Sequence, residues 1–73
     1  MADIKFEIIK KIGVLYTSSK GWAKQLNLIS WNDREPKYDI REWAPDGQTM
    51  GKGVTLSKDE MAALLDLLKG LDL

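Results

Sequence analysis

The hydrophobic period changes once along this chain, at Ser57, and that change limits the fold more than any other feature. Before it, apolar residues recur at every second position; after it, they recur at helical spacing. Residues 4–16 place Ile4, Phe6, Ile8, Ile12, Val14 and Tyr16 at even positions, which reads as a strand. Lys10 falls on the apolar parity and Ile9 on the polar one, so a bulge near Lys10 and Lys11 is expected. The turn cluster at residues 17–21 leads into Trp22–Trp31, where Trp22, Leu26 and Leu28 share one parity and Gln25, Asn27, Ile29 and Trp31 the other. Residues 32–36 form a second turn, in which Pro36 keeps Glu35 out of the helical region. Lys37–Trp43 alternates again, Pro45, Asp46 and Gly47 signal a third turn, and a short strand lies within residues 48–56.

The last segment has its own start signal. Ser57 and Glu60 fit a capping box, and Met61, Leu64, Leu65 and Leu68 follow the i, i+3, i+4, i+7 rule. Ala62, Leu67 and Leu71 widen the stripe, and Gly70 is a natural C′ residue. The expected fold is therefore α+β: a four-stranded antiparallel β-meander followed by one C-terminal amphipathic helix, in a single domain over residues 1–73.

Composition bears on how so small a fold is stabilised. A chain of 73 residues buries only about 60% of the surface its unfolded form exposes. With no Cys and no His, disulfides and an ordinary structural zinc site are unavailable, which leaves oligomerisation. The helix carries more Leu than one sheet face needs. A homodimer seam through Met61, Leu64, Leu65, Leu68 and Leu71 is expected, the alternative being that Leu71 and Leu73 merely fray at the terminus.

The same absences exclude Cys/His and Ser/His nucleophilic chemistry. The chain lacks P-loop and EF-hand spacing, and no second carboxylate is placed to work with Asp39 as an acid–base pair. No enzyme activity, cofactor, metal or small-molecule substrate is expected. No apolar run approaches the ~20 residues of a membrane span, and no secretory h-region opens the chain. A cytoplasmic, nucleoid-associated protein is the expectation.

Eleven basic residues balance eleven acidic ones, but not evenly. Residues 10–58 hold nine basic against five acidic, net +4, whereas residues 59–73 hold one against four, net −3. With Tyr38 and Ile40 under the helix, the opposite parity displays Lys37, Asp39, Arg41 and Trp43, together with Gln25, Asn27 and Trp31 of the second strand. Cations, amides and large rings on one surface suit single-stranded nucleic acid: phosphates meet Lys and Arg, and bases stack on rings. A dimer could instead bury both Trp rings, and solvated ion pairs explain Arg41 equally well. Residues 51–53 look like a phosphate-approach loop, a weak motif on its own.

The run Lys37 to Trp43, then residues 50–57 and the closing helix, resembles the positive cofactor four family, the single-stranded-DNA-binding transcriptional coactivators of eukaryotes with small bacterial relatives. Residues 26–32 and 34–41 look closer still to its bacterial YdbC-type members. The resemblance implies a sheet-plus-helix protomer that dimerises through its helices, with two curved sheets forming a groove for unpaired strands. It places Arg41 and Lys52 at the family's basic contacts, and Trp31 and Trp43 near its stacking aromatics, Trp43 offset by one position. The Ser-rich and Lys-rich tail of eukaryotic members is lacking here, so their activator contacts are not carried over.

The expected function is single-stranded DNA binding (RNA left open) through Lys24, Gln25, Asn27, Trp31, Lys37, Arg41, Trp43 and Lys52. Lys37, Arg41 and Lys52 are the expected phosphate contacts, and Trp31 and Trp43 the stacking rings. The alternative is a protein-interaction module using the same sheet face or the Leu-rich helix.

Overall fold

The computed structural model describes residues 5–73 of the chain; Ile4, expected in the first strand, lies outside them. Over that span the alternating segments become β1 (Phe6–Thr17), β2 (Ala23–Trp31), β3 (Lys37–Trp43) and β4 (Met50–Leu56), and the helical stripe becomes α1 (Lys58–Lys69). The strands pair in sequence order, each antiparallel to the next, so the chain is the expected meander followed by a helix.

Each turn sits where its residues permit. Asn32 and Asp33 carry the β2–β3 turn at φ 51° and 61°, a left-handed conformation that short polar side chains tolerate. Lys5 latches the start of β1 to that turn: its ammonium lies 2.8 Å from the Asp33 carboxylate, and its carbonyl accepts from the Asn32 N–H at 2.6 Å. Gly47, at φ 74°, closes the β3–β4 turn where an L side chain would be strained. In the same turn the Asp46 carboxylate accepts from the backbone N–H groups of Thr49 and Gln48, both at 2.8 Å, and from the Thr49 hydroxyl at 2.7 Å. These bonds, the Thr49 amide first, hold the Asp46 carboxyl below its ordinary pKa.

The capping box forms as expected. Ser57 Oγ accepts from the Glu60 N–H at 3.1 Å, and the Glu60 carboxylate accepts from the Ser57 N–H at 2.8 Å. Gly70 ends the helix at φ −89° and ψ −1°, not in the left-handed conformation of a C′ glycine; its N–H still donates to the Leu67 carbonyl at 3.2 Å.

Three register shifts interrupt the β1–β2 ladder, past Ile9, Ile12 and Leu15, where the sequence suggests one bulge near Lys10. Every bulge adds twist and bend. The accumulated bend is large. Trp31 and Ala23 stand at opposite ends of β2, about 26 Å apart on a flat strand. Yet Phe6, paired with Trp31, brings its ring centroid to 5.6 Å from that of Trp43, which is paired with Ala23. The sheet curls until its two ends meet.

The core lies inside that curl and not under the helix. Ile29 and Trp43 are the buried apolar residues, with Asn27 and Asp39 buried beside them. All four have the parity expected to face outward. Leu26, Leu28, Tyr38 and Ile40 do lie on the helix side but are only half-buried. A cavity of about 380 Å³ separates helix from sheet there, lined by Ile12, Leu26, Tyr38, Met61, Ala62 and Leu65 among others. No residue of α1 is buried. A twelve-residue helix covers only part of a four-stranded face, whereas the curl brings distant rows of the other face into contact.

Candidate functional site

Asp39 and Arg41 are two positions apart on β3, so both side chains project into the curl. There Arg41 Nε and Nη2 donate to the two carboxylate oxygens of Asp39 at 2.7 and 2.9 Å. Thr55 Oγ1, directly across on β4, donates to the same carboxylate at 3.0 Å. Asp39 is fully buried, and the Arg41 side chain retains 17% exposure. A buried carboxylate survives only when paired and hydrogen-bonded, and here three donors meet it. Arg41 Nη1 turns the other way, toward the Gly51 carbonyl at 3.5 Å and the Met50 sulfur at 3.9 Å.

The guanidinium also has an aromatic neighbour. Its central carbon lies 5.2 Å from the centroid of the Trp31 ring, within cation–π range. Phe6 packs tilted against the same ring, centroids 5.9 Å apart. Trp31, Asn32, Arg41, Met50 and Thr55 together line an open cleft of about 330 Å³. An indole, a fixed guanidinium plane, a hydroxyl and an amide suit a flat heteroatom-bearing ring such as a nucleobase.

Gly53 makes this arrangement possible. A Cβ there would overlap the Cβ of Arg41 and sit 2.6 Å from the Ile40 carbonyl oxygen. At Gly51 an added Cβ would lie 3.3 Å from the Trp22 ring. The run at residues 51–53 is thus not a phosphate loop: it belongs to β4, and its glycines make room for Arg41 and Trp22. Trp22, which shares its parity with Leu26 and Leu28, is half-buried against that glycine.

The structure divides the expected binding residues into three groups. Gln25, Trp31 and Arg41 share the curl face, and Lys37, paired with Ile29, is exposed on it. Asn27 and Trp43 lie on the same face but are only 1% exposed, so they are corrected from ligand contacts to core. Trp43 packs against Phe6, and Asn27 Nδ2 donates to Gln25 Oε1 at 3.2 Å. A ring covered on both sides cannot stack on a base. Lys24 and Lys52 belong to the helix-side face, where with Ile40, Glu42 and Val54 they line a second cleft of about 380 Å³. The parity Lys24 shares with Leu26 and Leu28 already signals that placement.

Lys11 is a cation the sequence reading missed. It pairs with Asn27 and therefore joins the curl face, exposed. Its signal is the bulge past Ile9, which reverses the parity until the next bulge at Ile12 and so turns Lys11 onto the face of Phe6 and Ile8. Of the expected seam residues, Met61 and Leu64 are half-buried, while Leu65, Leu68 and Leu71 are exposed. Among the described residues no group of His, Cys, Asp and Glu could hold a metal ion, and no helix is long and apolar enough to cross a membrane.

Comparison with known proteins bears on this cleft. Residues 18–67 match the family described as Transcriptional Coactivator p15 (PC4), a span that takes in β2, β3, β4 and most of α1. An uncharacterized protein of Treponema pallidum (strain Nichols) is 51% identical over 71 residues, covering 97% of this chain and 84% of its own length. Trp31, Asp39, Arg41, Gly53 and Thr55 all fall inside the matched span. The chain therefore belongs to the p15 (PC4) transcriptional coactivator family.

Proposed function

We propose that this chain is a non-catalytic single-stranded-DNA-binding protein that works as a homodimer, with little sequence preference. One observation carries the reading: the Trp31–Arg41 cleft lies within the span matched to a family of single-stranded-DNA-binding coactivators. In this reading a base stacks on Trp31, Gln25 offers polar contact, and Lys37 and Lys11 meet phosphates beside the cleft. Lys24 and Lys52, on the other face, add to the field that draws a strand in. The cellular setting we propose is cytoplasmic and nucleoid-associated, in transcription, replication or repair.

The homodimer rests on exposed area. The chain presents 5872 Å² of accessible surface, against about 4,600 Å² for a compact monomer of its mass. Its radius of gyration is 13.4 Å, against about 11 Å for a compact chain of this length. The excess exceeds the roughly 800 Å² per partner of a standard interface. Leu65, Leu68 and Leu71, with half-buried Met61 and Leu64, supply an apolar seam.

Titrating tryptophan fluorescence with oligo-dT and with a matched duplex tests the function. Oligo-dT should quench at low salt and bind more tightly than duplex, with the logarithm of its affinity falling linearly in log[salt]. Trp31→Ala should weaken oligo-dT binding by about tenfold or more, the loss of one stacked base. Absence of quenching would sink the reading, and equal affinity for duplex would sink the strand preference. The exposed Leu stripe favours a second reading, a protein-interaction module. That reading predicts salt-insensitive binding to another protein and none to oligo-dT.

A further inference from the structure

The Asp39–Arg41 pair does more than fill the curl. We infer that Asp39 is a positioning residue that clamps the Arg41 guanidinium over the Trp31 ring, so that the pair forms a preorganised, charge-compensated platform for a base while lysines take the phosphates. The inference rests on the single-strand reading above and assigns Arg41 a different task from the phosphate contact its charge suggests.

Geometry supplies the reasons. Two of the Arg41 nitrogens are engaged by a fully buried carboxylate at 2.7 and 2.9 Å, which fixes the guanidinium plane. Thr55 anchors that carboxylate from the neighbouring strand, so the clamp spans β3 and β4. Gly53 lets β4 close on the Arg41 stem, where any side chain would collide. The cation thus carries its own counter-charge within bonding distance and contributes little net field to a passing phosphate. Lys37 and Lys11 share this face, are exposed, and form no salt bridge among the described residues. A planar guanidinium held over an indole favours stacking, a task lysine cannot perform.

The test compares a labelled oligo-dT with a strand of equal length carrying abasic sites, by fluorescence anisotropy at several salt concentrations. Circular dichroism and sedimentation check that each variant is folded and assembled. The unsubstituted protein should prefer the base-bearing strand by about tenfold or more. Lys37→Ala should lower the slope of log K against log[salt] by about 0.7, as one lost phosphate contact requires. The neutral double variant Asp39→Asn/Arg41→Gln removes both buried charges together. It should keep the unsubstituted salt slope while its preference for bases falls toward unity. A slope lowered by about 0.7 would make Arg41 a phosphate contact and overturn the inference, as would an unchanged base preference. If the double variant does not fold, Asp39→Asn alone decides. A freed guanidinium should then steepen the slope by about 0.7, and an unchanged slope overturns the clamp. Failure of the unsubstituted protein to bind either strand overturns the single-strand reading itself, before any variant is made.

Discussion

Both faces of this sheet carry apolar side chains and use them in opposite ways. The curl face closes on itself: Phe6 meets both Trp31 and Trp43, Ile29 is sealed, and Asp39 is bonded by Arg41 and Thr55, although Asn27 Oδ1 and the indole N–H groups of Trp31 and Trp43 are buried without a partner among the described residues. The helix face stays open, with no buried helix residue and with Leu65, Leu67 and Leu68 exposed. Both have cations nearby, but among the described residues only the curl face sets a planar one against a ring. The chain thus seals its apolar groups on one side and leaves them open on the other. Self-sufficient packing belongs to the side proposed to meet a strand, and assembly to the side proposed to meet a second copy.

The largest expected effect separates the faces by stability. Trp43→Ala opens a cavity in the curl and should cost about 3–5 kcal/mol in urea unfolding. Leu67→Ala, at a side 71% exposed, should stay within about 0.5 kcal/mol. Equal costs would break the contrast. Next in size, Leu65→Asp with Leu68→Asp should raise the dissociation constant of the proposed dimer at least about 100-fold in sedimentation, because two carboxylates cannot be left in an apolar seam. Persistence of the dimer would move the seam elsewhere. Smaller again, Gly53→Ala should cost about 1–3 kcal/mol through its collision with Arg41. Gly13→Ala is the control, since an added Cβ there meets no atom within 4 Å and should leave stability nearly unchanged or slightly raised.

The smallest effect lies outside both faces, in the β3–β4 turn. Because folding lowers the Asp46 pKa, its contribution is fully present above the ordinary value of 3.8 and is lost as pH falls through the lower folded value. Amide exchange at Gln48 and Thr49 should therefore accelerate, relative to the sheet, below about pH 3.8. Asp46→Asn should abolish that dependence, and an unaltered profile would show that the turn does not need the carboxylate.

Elements proved legible in the sequence because they rest on local signals. Alternation located four strands, Asn32-Asp33 and Pro45-Asp46-Gly47 located turns, and Ser57 with Glu60 located the helix start. The buried face was not legible. Parity sorts Tyr38 from Asp39 but does not say which side is sealed when a short helix covers one and curvature closes the other. That curvature depends on bulges past Ile9, Ile12 and Leu15, which leave only a broken alternation in the chain. Trp43 and Asn27 were misplaced for this reason. Arg41 and Trp31 sat on the expected face, yet their contact joins positions far apart along the strands, and only the curl brings them together.

Amide chemical-shift mapping tests the division between the faces most directly, as oligo-dT is added and, separately, as the protein is diluted. The account predicts that oligo-dT perturbs Trp31, Asn32, Lys37, Arg41 and Thr55, while dilution perturbs Met61, Leu64, Leu65 and Leu68. Perturbation of the helix by oligo-dT, with the curl face unmoved, would contradict it.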